Sequence, residues 1–321
     1  MAGSRLALAL RRGLELPVGR LAVFEPFAGY DLAGLSGAEV ICRHFPVAQH
    51  FERAGMPTVR EESGRYAAAL VVLPRAKAEA RDLIARAAAV CDGLVIVDGH
   101  KQDGVASIHA DIRKRVPLLG DLSKAHGRIF WFEPGDFADW RGAGQAFDGF
   151  RTAPGVFSAD APDPGSVALV QALPELSGRV LDLGAGWGFL ARHALQNARV
   201  SAVDLVEADH VALTCARDNV PDARAQLHWA DAVNFTANPY DYVISNPPFH
   251  AGRAGVPELG RVFIATAARL LKPGGEFWMV ANRHLPYEAD LERRFGRVDE
   301  MPGTPAFKIF RATGARKQRR G

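Results

Sequence analysis

From residue 179 to residue 281 the chain alternates short β-branched and aliphatic runs with helical stretches. The runs fall at 179–183, 199–204, Ala225–Trp229, Tyr240–Ser245 and 276–281, and helical stretches at 189–197, 207–219 and 259–271 lie among them. Apolar runs this short and uniform are strands buried on both faces. Strands spaced by helices pair in parallel, with the helices covering the sheet. A further run at 307–311 (F-K-I-F-R) reads as a last strand at the edge of that sheet. The first half has the same rhythm with weaker punctuation: strands at Leu21–Phe24, 68–73, 94–98 and 129–132, and an Ala- and Arg-rich helix at 76–90. Two such blocks in 321 residues give two domains, 1–150 and 151–321, with the Pro- and Gly-containing stretch 147–162 as the linker.

Composition narrows the class further. With 48% hydrophobic and 23% charged residues the chain is ordinarily globular. No segment approaches the roughly 20 apolar residues of a bilayer span. The apolar start at 6–10 is cut off by Arg11 and Arg12, too short for a signal-peptide core, so the expected home is the cytoplasm. Cys42, Cys91 and Cys215 are odd in number and include no C-x-x-C pair, which argues against a disulfide framework and a thiolate zinc site. The net charge of +3 hides an uneven distribution, since the last eleven residues carry five basic side chains and no acid. That tail reads as a phosphate-binding arm or as a solubilising end.

The turn after the strand at 179–183 is Asp182-Leu-Gly-Ala-Gly-Trp-Gly188. Gly184 and Gly186 let a ligand approach the backbone at the carboxyl end of the sheet. The spacing is not the G-x-G-x-x-G of dinucleotide folds, and Asp182 would repel a pyrophosphate. It suits a ligand with an amine, such as the methionine end of S-adenosylmethionine. Asp204, 20 residues beyond Gly184, is read as the acceptor for both ribose hydroxyls of an adenosine. Asp231, after the strand Ala225–Trp229, is read as the acceptor for the adenine amino group. Each acid alone also reads as a cap or turn residue; the order of loop, acid and acid along successive strands carries the joint reading.

Asn246-Pro-Pro-Phe249 ends the strand Tyr240–Ser245. A purine's exocyclic amine is a poor nucleophile because its lone pair is delocalised into the ring. The Asn246 side-chain oxygen and the Pro247 carbonyl can hold both of its N–H groups and favour a tetrahedral nitrogen in the transition state. Phe249 offers a stacking face for a base taken out of its helix. His228, His250 and His284 match no zinc spacing, and methyl transfer from a sulfonium needs no metal. An internal repeat joins the two halves: Tyr66 to Pro74 parallels Tyr240 to Pro247, with Leu73 in the place of Asn246. Phe24 to Tyr30 stands where the glycine turn stands but has one glycine instead of three. The first copy therefore reads as one that has lost its site.

These motifs resemble class I S-adenosylmethionine-dependent methyltransferases acting on planar amino groups. More narrowly, P-G-V-F-S at 154–158, S-N-P-P-F-H at 245–250, A-N-R-H-L-P-Y at 281–287 and F-K-I-F-R-A at 307–312 resemble the bacterial 16S ribosomal RNA guanine-N2 methyltransferases of the RsmC type. The resemblance covers 154–312 and extends faintly to 73–77 and 98–104. It implies an α/β protein of two tandem Rossmann-like methyltransferase domains. The first would be degenerate and position RNA; the second would be catalytic, on a seven-stranded, mostly parallel sheet. It places Asp182, Gly184, Gly186, Asp204 and Asp231 at cofactor positions, and Asn246, Pro247 and Phe249 at the target base. The partner it implies is ribosomal RNA or the small ribosomal subunit. Trp187 is bulkier than the residue usual in the family and is expected to narrow the cofactor mouth. Ala251-Gly252-Arg253 replaces the usual aspartate-glycine, which loosens the prediction of the target. Alternatives that share the N-P-P logic are a large-subunit guanine-N2 enzyme and methylases of adenine N6 or protein glutamine. A non-catalytic RNA-binding protein with a vestigial site is the alternative of another class.

Overall fold

The computed structural model of the chain describes residues 4–35, 37–248, 250–251, 254–255 and 257–316. The chain divides into two units, Met1–Gly144 and Gln145–Gly321. Each unit is built on a seven-stranded sheet. In the first the strands are, in chain order, Leu21–Phe24, Glu39–Ile41, Thr58–Val59, Tyr66–Val72, Cys91–His100, Gly120–Lys124 and Gly127–Phe132. In the second they are Gly178–Leu183, Val200–Glu207, Ala225–Trp229, Tyr240–Ser245, Leu271–Asn282, Phe295–Met301 and Phe307–Ala315. Numbered one to seven within its own sheet, each set runs in the order 3-2-1-4-5-7-6. Strands one to five are parallel, and strand seven lies antiparallel between five and six in both. The expected α/β class with two tandem Rossmann-like domains is therefore the observed one.

Helices cover the sheets because their apolar residues recur at three- and four-residue spacing. Lys77–Val90 buries Ala80, Leu83, Ile84, Ala87 and Ala88, one stripe of a helix, against the first sheet. Among the described residues no helix is long and apolar enough to cross a membrane.

The sequence reading needs three corrections. Phe307–Ala315 is not an edge strand; it pairs with Leu271–Asn282 on one side and Phe295–Met301 on the other. The edge strand on that side is Phe295–Met301, in which F-G-R-V-D-E-M mixes apolar and charged residues and only Phe295 is buried, so it gives no apolar run to read. Arg311 belongs to the inner strand and binds Glu276, so it is no part of a free basic arm; residues 317–321 of that tail lie outside the described residues. The stretch 147–162 is no linker either. Phe150 and Val156 are buried with Trp187, and the Asn219 amide binds Arg151 N–H and the carbonyls of Arg151 and Trp187 at 2.7–2.8 Å.

The ladders also correct the alignment of the repeat. Arg20 lies over Tyr66 at 4.6 Å and binds Glu39; Arg179 lies over Tyr240 at 4.7 Å and binds Asp204. Superposing these trios makes Leu21 the equivalent of Val180, since each pairs with the residue two beyond its tyrosine. Val72 then stands for Asn246 and Leu73 for Pro247, one residue away from the sequence alignment. Val23 stands for Asp182, and Cys42 for Glu207. All four first-unit residues are buried, and the side chains of Val23 and Val72 have no acceptor where Asp182 and Asn246 have one.

Candidate active site

The site in the second unit forms where the strands Gly178–Leu183, Val200–Glu207 and Tyr240–Ser245 end side by side. Gly184, Gly186 and Gly188 all have positive φ, at 77°, 55° and 90°. A Cβ on Gly184 would lie 2.8 Å from the Phe263 ring, whereas one on Gly186 would meet nothing within 4 Å. Gly184 is thus required by the packing beneath the turn, and Gly186 faces open space above it. Asp182 lies under the turn, fully buried, where its Oδ2 accepts from Ala191 N–H at 2.9 Å. Its Oδ1 is buried with no partner among the described residues.

Asn246 follows the last residue of its strand. Its Nδ2 donates to Asp163 Oδ2 and to Ser166 Oγ, both at 2.8 Å, and its Oδ1 is buried without a partner among the described residues. Ser245 next to it is locked by a 2.6 Å bond from its hydroxyl to the Leu183 carbonyl, which ties this strand to the one that feeds the glycine turn. Pro247 is buried and Pro248 exposed. Phe157, Asp163, Ser166, Gly184, Gly186 and Asn246 line one cleft. A larger groove of about 450 Å³, lined by Leu173, Glu175, His193 and Asn197, contains none of the predicted residues.

Asp204 is not among the residues that line that cleft, nor are Asp182, Glu207 and Asp231. Asp204 sits in mid-strand, 3% exposed, bound by Arg179 at 2.9 Å and by His228 Nε2 at 2.6 Å. Burial resists its ionisation, but His228, Tyr240 and Arg179 outweigh that and hold it below the usual carboxylate range. The strand continues three residues to Glu207, whose two oxygens accept from Gly186 N–H and Asp209 N–H, each at 2.8 Å. Desolvation raises the Glu207 carboxyl. Asp231 lies in the turn after Ala225–Trp229, accepting from Val233 N–H at 2.9 Å. Phe249 lies outside the described residues, as does the side chain of His250. Among the described residues no three His, Cys, Asp or Glu side chains gather to hold a metal.

Trp187 is among the residues that line the cleft, and it is anchored from behind. Its ring is 4% exposed, packed among Phe147, Phe150 and Phe189, and its Nε1 donates to the Phe157 carbonyl at 2.9 Å. The extra bulk anchors the segment that carries Phe157, whose own ring is 59% exposed beside the cleft. The motifs at 281–287 and 307–312 meet each other, Lys308 Nζ donating to the Leu285 carbonyl at 2.9 Å.

Three residues of the site, Asp163, Ser166 and Glu207, are absent from the sequence reading. Asp163-Pro-Gly-Ser166 carries a helix-start signature, a capping acid before a proline at the first helical position. Glu207 reads from sequence as part of the following helix, but Asp209, which accepts from Val211 and Ala212 N–H, is that helix's cap, so the strand runs to Glu207.

Known proteins resemble the chain along most of its length. Residues 149–311 match the family model of the methyltransferase small domain. A ribosomal RNA small subunit methyltransferase C from Shewanella sp. (strain MR-4) is 31% identical over 262 residues, 77% of each chain. One from Cronobacter sakazakii is 32% identical over 235 residues, 70% of this chain and 69% of that one. Among solved structures, the T. thermophilus 16S rRNA N2 G1207 methyltransferase (RsmC), determined with AdoMet and guanosine, superposes with a TM-score of 0.80 at 25% identity. That match covers 95% of this chain and 90% of the other.

Proposed function

We propose, because the chain belongs to the ribosomal RNA small subunit methyltransferase C family, that it transfers a methyl group from S-adenosylmethionine to the exocyclic N2 amine of a guanine in 16S ribosomal RNA. The observation that carries the site assignment is the Asn246 side-chain oxygen, buried, unpartnered and beside the glycine turn. One orphaned acceptor at a cleft with an open glycine face, and a second buried beneath the glycine turn, fit a cationic cofactor next to an amine substrate. Asp182 Oδ1 awaits the ammonium and Asn246 Oδ1 the target N–H. S-adenosylmethionine supplies an activated methyl group carried on a sulfonium.

The chain's own residues do the rest. Gly186 admits the cofactor to the backbone of the turn that Gly184 lets pack on Phe263, Glu207 takes the ribose hydroxyls in place of Asp204, and Asp231 takes the adenine amine. The Asn246 oxygen and Pro247 carbonyl hold the two target hydrogens, drawing the nitrogen lone pair out of conjugation toward the methyl carbon. Phe157 and Phe249 offer faces for the flipped base. The first unit positions RNA, since the residues equivalent to Asp182, Glu207, Asn246 and Pro247 are Val23, Cys42, Val72 and Leu73. Ribosomal RNA as substrate implies a cytoplasmic protein.

Small subunits from cells lacking the enzyme, incubated with tritiated cofactor, are expected to take up label on guanine N2 of 16S rRNA, read by mass mapping of the labelled nucleotide. Label on large-subunit RNA, on adenine N6 or on protein would replace this reading with one of its relatives. No label would leave an RNA-binding protein.

A pH dependence follows from the same assignment. Burial pushes the Asp182 carboxyl up to about 8, and the neighbouring Glu207 charge adds to the rise. Asp182 is therefore neutral in the free protein at pH 7 and must ionise to meet an ammonium. Cofactor affinity is expected to rise by up to about tenfold per pH unit toward 8 and to fall again above it, as the cofactor's own α-ammonium loses its proton. Calorimetry in buffers of different ionisation enthalpy would show about one proton released per cofactor bound. Asp182→Asn should remove the slope; an affinity flat across neutral pH in the unaltered protein would refute the role. The stability term has the opposite sense. This acid's folded value lies above its unfolded one, so its contribution is fully present below about pH 4 and is lost as pH rises through about 8.

A further inference from the structure

We propose that Asp163 and Ser166 are positioning residues for methyl transfer, fixing which way the Asn246 amide faces. The inference rests on reading Asn246 as the acceptor for the target amine. An asparagine amide has nearly the same shape in two orientations a half-turn apart, and only its hydrogen-bond partners distinguish them. Here both amide hydrogens are taken, one by Asp163 Oδ2 and one by Ser166 Oγ, each at 2.8 Å. Turning the amide over would press its oxygen against a carboxylate and would aim two N–H donors at the cleft. A donor cannot hold the N–H groups of an amine. The acceptor is thus a property of the trio, not of Asn246 alone.

The partners are themselves fixed. Asp163 caps the helix Pro164–Ala172, and the oxygen that holds Asn246 also accepts Ser166 N–H at 2.9 Å. Pro164 sets the backbone next to it. A Cβ on Gly165 would lie 2.9 Å from that oxygen, so only glycine leaves the carboxylate undisturbed. Ser166 is 7% exposed. There is an electrostatic gain as well. The target nitrogen becomes positive as it takes the methyl group, and a carboxylate hydrogen-bonded to the amide N–H polarises that amide, enriching the oxygen that faces the nitrogen.

The test separates positioning from architecture. In Asp163→Ser the cap is kept, because serine caps as well as aspartate, but the shorter hydroxyl cannot also reach Asn246. Combined with Ser166→Ala, it is expected to lower kcat about 100-fold with cofactor Kd and RNA KM unchanged, while the Asn246 N–H groups left without acceptors lower Tm by a few degrees. Asp163→Asn, which keeps an acceptor oxygen in place, is expected to recover activity to within about tenfold of wild type. Wild-type kcat in the double variant would overturn the proposal. So would an Asp163→Asn enzyme as slow as the double variant, or a loss that appears in cofactor Kd instead of kcat. Asn246→Ala measured alongside keeps the two readings distinct. If it is fully active, the acceptor assignment itself fails; if it is inactive while the double variant is fast, only the positioning role fails.

Discussion

Asn246→Ala is expected to reduce methyl transfer by about 10³-fold while leaving cofactor affinity within about twofold of wild type. The side chain's partners among the described residues are Asp163 and Ser166, and Asp163 keeps its bond from Ser166 N–H when the amide is gone. No buried donor is stranded, so Tm should hardly move. What is lost is the acceptor that makes the amine nucleophilic. Asn246→Asp should fare no better, since its second oxygen would face the Asp163 carboxylate at the distance where Nδ2 now donates. Single-turnover transfer beside cofactor calorimetry checks both variants. Transfer at the wild-type rate in Asn246→Ala would remove the chemistry assigned to this site.

The strand-and-helix rhythm makes most of the second sheet legible from sequence, because parallel strands buried on both faces leave runs that little else produces. The strands Ala225–Trp229 and Tyr240–Ser245 read to the residue. The edge beyond Phe307–Ala315 is not legible. Phe295–Met301 is solvated on much of its surface, and its mix of apolar and charged residues gives no apolar run. The inner position of Phe307–Ala315 depends on pairing across long stretches of chain, which local pattern does not contain. In the site, glycines and the Asn-Pro-Pro turn are visible because their backbone demands restrict which residues can stand there. Asp163 and Ser166 are not, since they reach Asn246 across some eighty positions of sequence. The anchoring of Trp187 is hidden for a related reason: its size is plain, but the direction of its ring depends on Phe147 and Phe150, in a stretch whose prolines and glycines look like linker.

The proposed assignment makes Asp204 a structural acid and Glu207 a binding one, and the two variants should separate accordingly. Both lie on the strand Val200–Glu207, three residues apart. Asp204 is 3% exposed and already engaged by Arg179 and His228, with Tyr240 beside it, and the trio of Glu39, Arg20 and Tyr66 repeats the arrangement in a unit whose counterparts of Asp182 and Asn246 are Val23 and Val72. An arrangement repeated where those acceptors are missing fits a role in the fold. Removing Asp204 strands a buried partner set, although Arg179 and His228 are each about a third exposed and can turn to water. Asp204→Ala is therefore expected to cost about 2–3 kcal/mol, below the range for a fully buried pair. That is about 5–10 °C in Tm for a unit of this size. Cofactor affinity in the protein that remains folded should stay close to wild type. Glu207 has the opposite profile. Its oxygens accept backbone N–H groups of Gly186 and Asp209 at the strand's end, and among the described residues no side chain is bonded to it in the way that Arg179 and His228 are bonded to Asp204. Two hydroxyls bound to a carboxylate should be worth about 10- to 100-fold in affinity, so Glu207→Ala is expected to weaken cofactor binding by that factor. Its cost in stability should be smaller than that of Asp204→Ala, because its partners are two loop amides that water can reach once the side chain is gone. Cofactor titration and thermal melting of the two variants decide the matter. If Asp204→Ala loses affinity without losing Tm while Glu207→Ala binds normally, the ribose acceptor is Asp204 after all.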